Sequence, residues 1–173
     1  MVADATAVRQ PGASREAENL RFRRYLRAHH ISEDPLRIIA RRHLSEFDCT
    51  GCGNCCRETR VVVSPADIDR IADHLRMRPD DVVRKYTVHD SDNEETLLLQ
   101  QNDACVFLDR NVCIIYQARP NSCRNFPPIA ARARLLGGRM SSVCRQAGIC
   151  PVVEESLEEY KKLVGFHAGI QPG

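Results

Sequence analysis

The sequence predicts an α+β fold, a single compact domain in which short strands and turns gather a cysteine metal site and several helices surround it. Three observations lead there. Segments near both ends and in the middle repeat apolar residues at helical spacing, whereas the stretches between them are short apolar runs closed by turn formers. Nine cysteines are scattered through those runs and turns, most of them where a run ends. At 173 residues the chain can close a core without needing crosslinks to fold.

The elements follow in order. Residues 1–14, small and polar with "QPG", are expected to be disordered. Residues 15–46 form a helical extension with a helix over 17–30, where Phe22, Tyr25 and Leu26 share a face, and a second over 35–44 after "SED". Residues 47–150 hold the cysteines. There "TRVVV" reads as a strand, and "SPADIDRIADHL" as a helix over 64–76. Ser64 suits its N-cap, Pro65 its first position and Asp67 a capping box, while Ile68, Ile71, Ala72 and Leu75 make the core stripe. "RPDDVVRKY" gives a short helix. "ETLLLQ" and "ACVFLD" read as strands, and "DRN" turns the chain into "VCIIY". "IAARARLLGGRMSSVC" reads as a hairpin closed at Gly137-Gly138, with Arg132 and Arg134 on one face. Residues 151–173 are a C-terminal helix, over 152–165, and a tail packing on the same domain. Val153, Leu157, Tyr160 and Val164 face inward, with Glu158–Lys162 as an i,i+4 pair.

Charge excludes some functions. The formal net charge is only +2, and although residues 15–43 hold eight arginines against four acids, no basic motif is interleaved with aromatics. The expected partner is therefore a protein or redox partner rather than nucleic acid. No run of 18 apolar residues suggests a membrane span, and the first residues lack the apolar segment of a secretory signal, so the expected setting is cytoplasmic and reducing. Stable disulfides are disfavoured there, and nine cysteines would leave one unpaired.

Metal ligation explains the cysteines better. In "FDCTGCGNCCRE", Cys49, Cys52 and Cys55 recur every third residue and can curl around one centre, with Gly51 and Gly53 supplying turn conformations. In extended backbone the next thiol, Cys56, would leave on the opposite side, which favours two centres sharing one loop over a single cluster with unused thiols. A thiolate-only set suits zinc or an iron–sulfur cluster and disfavours magnesium, calcium and manganese. The six histidines, 29, 30, 43, 74, 89 and 167, have no ligand spacing to a cysteine. Cys56-Arg57, Cys123-Arg124 and Cys144-Arg145 place cations beside thiols, where they favour thiolate. Arg119-Pro120 reads as a rigid turn whose arginine bonds backbone carbonyls.

The run "CTGCGNCC", then "SPADIDRIADHL", then "CVFLDRNVCIIYQARPNSCRNFP", resembles the bacterial CxxCxxCC cysteine-cluster family, over about residues 47–144. Shared features are C-x2-C-x2-C-C, C-x7-C, C-x2-Y-x2-R-P-x2-C-R and the pair Phe126-Pro127. The resemblance implies a zinc- or iron-chelating domain whose metal-binding set is Cys49, Cys52, Cys55, Cys56, Cys105, Cys113, Cys123 and Cys144, with Cys150 as a substitute for Cys144. Members are often labelled iron–sulfur oxidoreductases, and flagellin lysine methylases carry a similar module.

Two cofactors are expected in order: an iron–sulfur cluster, of the 4Fe–4S kind suggested by the three-residue spacing, and then Zn2+. The first implies electron transfer or a cluster-bearing accessory role, the second a structural or interaction domain. A third reading, an iron–sulfur oxidoreductase or protein-modifying enzyme, has less support, because no dinucleotide loop, phosphate loop or catalytic triad is legible and no catalytic residue is assigned.

Overall fold

The computed structural model describes residues 13–130 and 140–167. Of the disorder expected over residues 1–14, residues 1–12 lie outside the described residues, while Ala13 and Ser14 are instead the start of a helix. The Gly137-Gly138 turn with Arg132 and Arg134 also lies outside the described residues. The α+β class holds: helices dominate, and the strands are three small antiparallel pairs. The chain divides into two compact units, a helical one from residues 1–47 and 127–173 and a second spanning Asp48–Phe126.

The helical unit contains α1 (Ala13–Ala28), α2 (Asp34–Glu46), α7 (Met140–Gln146) and α8 (Pro151–Leu163). Helix α1 packs on α7, and α2 along α8. The apolar stripes read from the sequence supply this core: Phe22, Leu26, Leu36, Val153, Leu157 and Tyr160 are buried. Phe22 meets the edge of Tyr160 with ring centroids 5.8 Å apart. Two expectations are corrected. Residues 140–144 are helix, not the second strand of a hairpin: Met140, Val143, Cys144 and Ala147 are all buried, and their spacing is that of a helix stripe against α1. The partner of Glu158 is Lys161 at 2.6 Å, not Lys162, because Lys161 is buried and also pairs with Glu18 at 2.7 Å, while Lys162 is exposed.

In the second unit α3 (Asn54–Glu58) belongs to the cysteine loop, followed by α4 (Pro65–Leu75) and α5 (Pro79–Tyr86). Helix α4 begins as expected: the Ser64 hydroxyl accepts from the Asp67 N–H at 3.2 Å, and the Ser64 N–H donates to the Asp67 carboxylate at 3.0 Å. Its buried Ile68, Ile71 and Ala72 join Val61, Val63, Val82, Leu98, Phe107 and Ile115 in one core.

The strands are shorter than the sequence suggested. "TRVVV" is extended but contributes only a bridge, Val62 to Leu97. The pair β1 (Thr87–Asp90) and β2 (Glu95–Leu98) includes a strand missed at the end of "RKYTVHD". "ACVFLD" is split between two hairpins, β3 (Gln100–Gln101) with β4 (Ala104–Cys105), and β5 (Leu108–Asp109) with β6 (Val112–Cys113). The first turns through Asn102 and Asp103, both at positive φ, as asparagine and aspartate tolerate. Each hairpin ends on a cysteine, Cys105 and Cys113. After Cys113 the chain makes a 3-10 turn over Tyr116–Ala118 and the short helix α6 (Asn121–Arg124), which carries Cys123.

Candidate metal centre

The cysteine loop is shaped by its small and polar residues. Asp48 accepts from the Thr50 N–H at 2.9 Å and starts a 3-10 turn over Cys49–Gly51. Gly53 then takes φ +68°, where an added Cβ would lie 2.7 Å from the Arg57 side chain and 3.3 Å from Asn111 Cα. The positive φ favours glycine there, and the Asn111 backbone leaves little room for a Cβ. The reversal launches α3, so Cys55 and Cys56 stand next to each other on a helix.

That corrects the expectation for the adjacent pair. It rested on extended backbone, in which neighbours face apart; on a helix they are separated by about 100° and can serve one side. The Cys56 thiol hydrogen-bonds the Cys55 sulfur, and this bond, against the cost of burial, lowers Cys55 to about 7. Cys56 is pushed upward by holding that proton, by burial, and by Cys55, Cys105 and Cys113. Thiols carried by both hairpins thus bear on Cys56.

Helix α3 packs against β4, which carries Cys105, and the 3-10 turn packs against β6, which carries Cys113. Arg57 reaches across to the Arg110 carbonyl at 2.5 Å and the Asn111 side chain at 2.7 Å, tying the loop to the tip of the second hairpin. Cys123 arrives on a turn anchored to α4. The Asp67 carboxylate accepts from the Asn121 N–H at 3.0 Å and pairs with Arg70, which donates to the Arg119 carbonyl at 3.0 Å. The Ser122 hydroxyl adds a 3.0 Å bond to the Val62 carbonyl. Asp67 thus closes a helix cap and positions a candidate ligand, and its buried carboxyl is held below the usual range: burial opposes this, but bonds from Ser64, Asn121 and Arg70 prevail.

Seven of the predicted residues, Cys49, Cys52, Cys55, Cys56, Cys105, Cys113 and Cys123, are thereby brought together in one unit. The negative charge of Cys55 raises each of the other six. Cys56, Cys105, Cys113 and Cys123 sit on or in the hydrophobic core, whereas Cys49 is exposed. Burial first, and then neighbouring thiols, push Cys123 up to about 12; Cys49 is raised in the same way, against the pull of Arg119. Among the described residues no three Cys, His, Asp or Glu side chains are arranged to hold a metal ion as they stand. The donor chemistry nonetheless fits a soft metal: sulfur alone, in numbers beyond what one tetrahedral ion takes.

Cys144 and Cys150 belong to the helical unit. The Cys144 thiol is buried and donates to the Asn19 carbonyl at 3.3 Å. Burial raises it to about 11, offset by Arg23, Lys161 and Arg145, all of that unit. Cys150 is buried at the start of α8. His43, which had no ligand spacing, pairs with Glu159 at 2.8 Å.

Of the arginines that directly follow a cysteine in this unit, Arg57 bears on Cys52. Arg57 also bonds the hairpin, and Arg124 bonds the carbonyls of Arg119 and Gln117. Arg119 bears on Cys49, Cys55, Cys113 and Cys123. The expected turn is there, with Arg119 Nε donating to the Tyr116 carbonyl at 3.0 Å. The signal in the sequence was its position midway between Cys113 and Cys123.

No solved structure matches this chain. Residues 48–151 match the CxxCxxCC family, described as a "Putative zinc- or iron-chelating domain". The match takes in α3, both cysteine-bearing hairpins and the Cys123 turn, and it spans well over half of the sequence. The chain belongs to the CxxCxxCC family of metal-chelating domains.

Proposed function

We propose that this protein holds an iron–sulfur cluster on the thiolates of its Asp48–Phe126 unit and acts in electron transfer or as a cluster-bearing accessory protein. The observation that carries the reading is that seven cysteines lie in the one Asp48–Phe126 unit, where α3 packs on the hairpin strand of Cys105 and the 3-10 turn on that of Cys113. Four thiolates serve a zinc ion or a 4Fe–4S cluster alike, and it is the three-residue spacing of Cys49, Cys52 and Cys55 that favours the cluster. Cys49, Cys52, Cys55, Cys56, Cys105, Cys113 and Cys123 form the ligand set; Cys144 falls outside it because its thiol is already bonded to Asn19. When bound, the cluster would supply a one-electron redox couple. The chain's part is to present thiolates on an apolar floor, with Gly53 and Asp67 holding the two segments most distant in sequence.

Zinc is the second reading, favoured by the turn-then-glycine shape of Cys49–Gly53, which suits a zinc knuckle. Anaerobic purification separates the two. Brown protein with iron and acid-labile sulfide in comparable amounts supports the cluster; colourless protein with stoichiometric zinc and no sulfide replaces it with zinc.

A further inference from the structure

The side-chain amide nitrogen of Gln100 is buried and has no hydrogen-bond partner among the described residues. Buried polar groups are nearly always paired, so an orphan donor marks a place where an acceptor belongs. The hairpin register says which acceptor is at hand. Gln100 lies directly across from Cys105 in the β3–β4 ladder, and Gln101 across from Ala104. Cross-strand partners point to the same face of a ladder, and successive residues to opposite faces. Gln101 is accordingly exposed, while Gln100 shares its face with the buried Cys105. Just beyond this pair the Val106 N–H donates to the Leu99 carbonyl at 3.0 Å. Gln100 and Cys105 are therefore a non-hydrogen-bonded pair, the kind whose side chains lie closest. Around Cys105 the core is apolar: Leu98, Phe107 and Ile115 belong to it, and Cys56, Cys113 and Cys123 pack against it. Sulfur is the acceptor that the register presents to the orphan N–H.

We propose that the Gln100 side-chain amide donates a hydrogen bond to the Cys105 sulfur when that sulfur ligates metal, and is thus a positioning residue that strengthens the centre without joining its ligands. The inference rests on the thiolate-metal reading above and adds to it a residue that is not a cysteine. The physical reason is the change in the acceptor. A free thiol accepts weakly, whereas a metal-bound cysteine sulfur carries negative charge and accepts strongly. In the metal-free chain the buried donor goes unpaired, which costs stability; in the loaded chain the same N–H meets charge. The cost is therefore recovered only on metal binding. An N–H bonded to a ligand sulfur also draws charge from it, and this fixes how strongly the sulfur donates to the metal.

The test uses the full-length, fully reduced, metal-free chain titrated anaerobically with cobalt(II), followed by its sulfur-to-cobalt charge-transfer absorption. Gln100→Met keeps the length of the side chain and cannot donate. It is expected to bind cobalt about tenfold more weakly than the native chain. Its charge-transfer band should move to lower energy, because the sulfur keeps the charge that the N–H would draw away. The metal-free variant should melt no lower than the metal-free native chain, since the substitution removes an unpaired buried donor. Gln100→Leu, different in shape but equally without an N–H, should shift the band to the same position. Native chain without thiolate–cobalt bands overturns the metal reading and this inference with it. Native binding with Gln100→Met unchanged in affinity overturns the inference alone. Weaker binding with the band unmoved, or by metal-free variants that melt below the native chain, also overturns it, because packing rather than the N–H would then be at work.

Discussion

Asp67 shows how one carboxylate serves both fold and site. It accepts from Ser64 as the capping-box acid and from Asn121 and Arg70 on the Cys123 turn. Asp67→Asn should therefore cost about 1–2 kcal/mol at pH 7, read by urea denaturation. The pH dependence has a definite sign. The folded-state pKa lies below the unfolded value, so the contribution is complete above about pH 4 and is lost as pH falls through the folded pKa. Native protein should lose its advantage over Asp67→Asn below that pH; an advantage that persists at pH 2 would contradict the assignment. The capping role was legible from Ser64, Pro65 and Asp67 in sequence. The contact with Asn121, 54 residues away, was not, because no local pattern encodes it.

Among elements, the two small hairpins matter most. Each is a minimal ladder closed by a turn with residues at positive φ, and each delivers a cysteine at its last paired position. Sequence reading placed strands here but joined β4 to β5, because "ACVFLD" is one apolar run and apolar runs do not announce where pairing changes partner. Helix α3 was missed for a similar reason: five residues are too few for periodicity to register. The ligand assignment can be tested at this scale. Cys55→Ser, Cys105→Ser and Cys113→Ser should each lose at least half of the bound metal, measured as metal per chain after anaerobic purification. Cys144→Ser, on α7, should keep the full load. Metal loss from Cys144→Ser to the same degree as from Cys105→Ser would return Cys144 to the ligand set.

At the scale of the whole molecule, each unit has its own buried residues, and the seven gathered thiols all lie in Asp48–Phe126. Metal binding to residues from distant positions is coupled to folding, because the unfolded chain does not bring them together. Removing metal with a chelator should speed amide exchange within residues 48–126 by at least tenfold and leave α2 and α8 unchanged, as read by hydrogen–deuterium exchange. Uniform deprotection of both units, or none, would go against that coupling. Among the described residues no helix is long and apolar enough to cross a membrane.

The linear sequence by itself determined the family, the thiol donor chemistry and the positions of the longer helices, because ligand identity and helical periodicity are local properties of residue type and spacing. Tertiary structure alone decided that Cys55 and Cys56 stand together on a helix, that Cys144 bonds Asn19 and that Asp67 reaches Asn121 on the Cys123 turn. Each of those depends on backbone conformation or on groups far apart along the chain, and side-chain direction is set only when the elements pack.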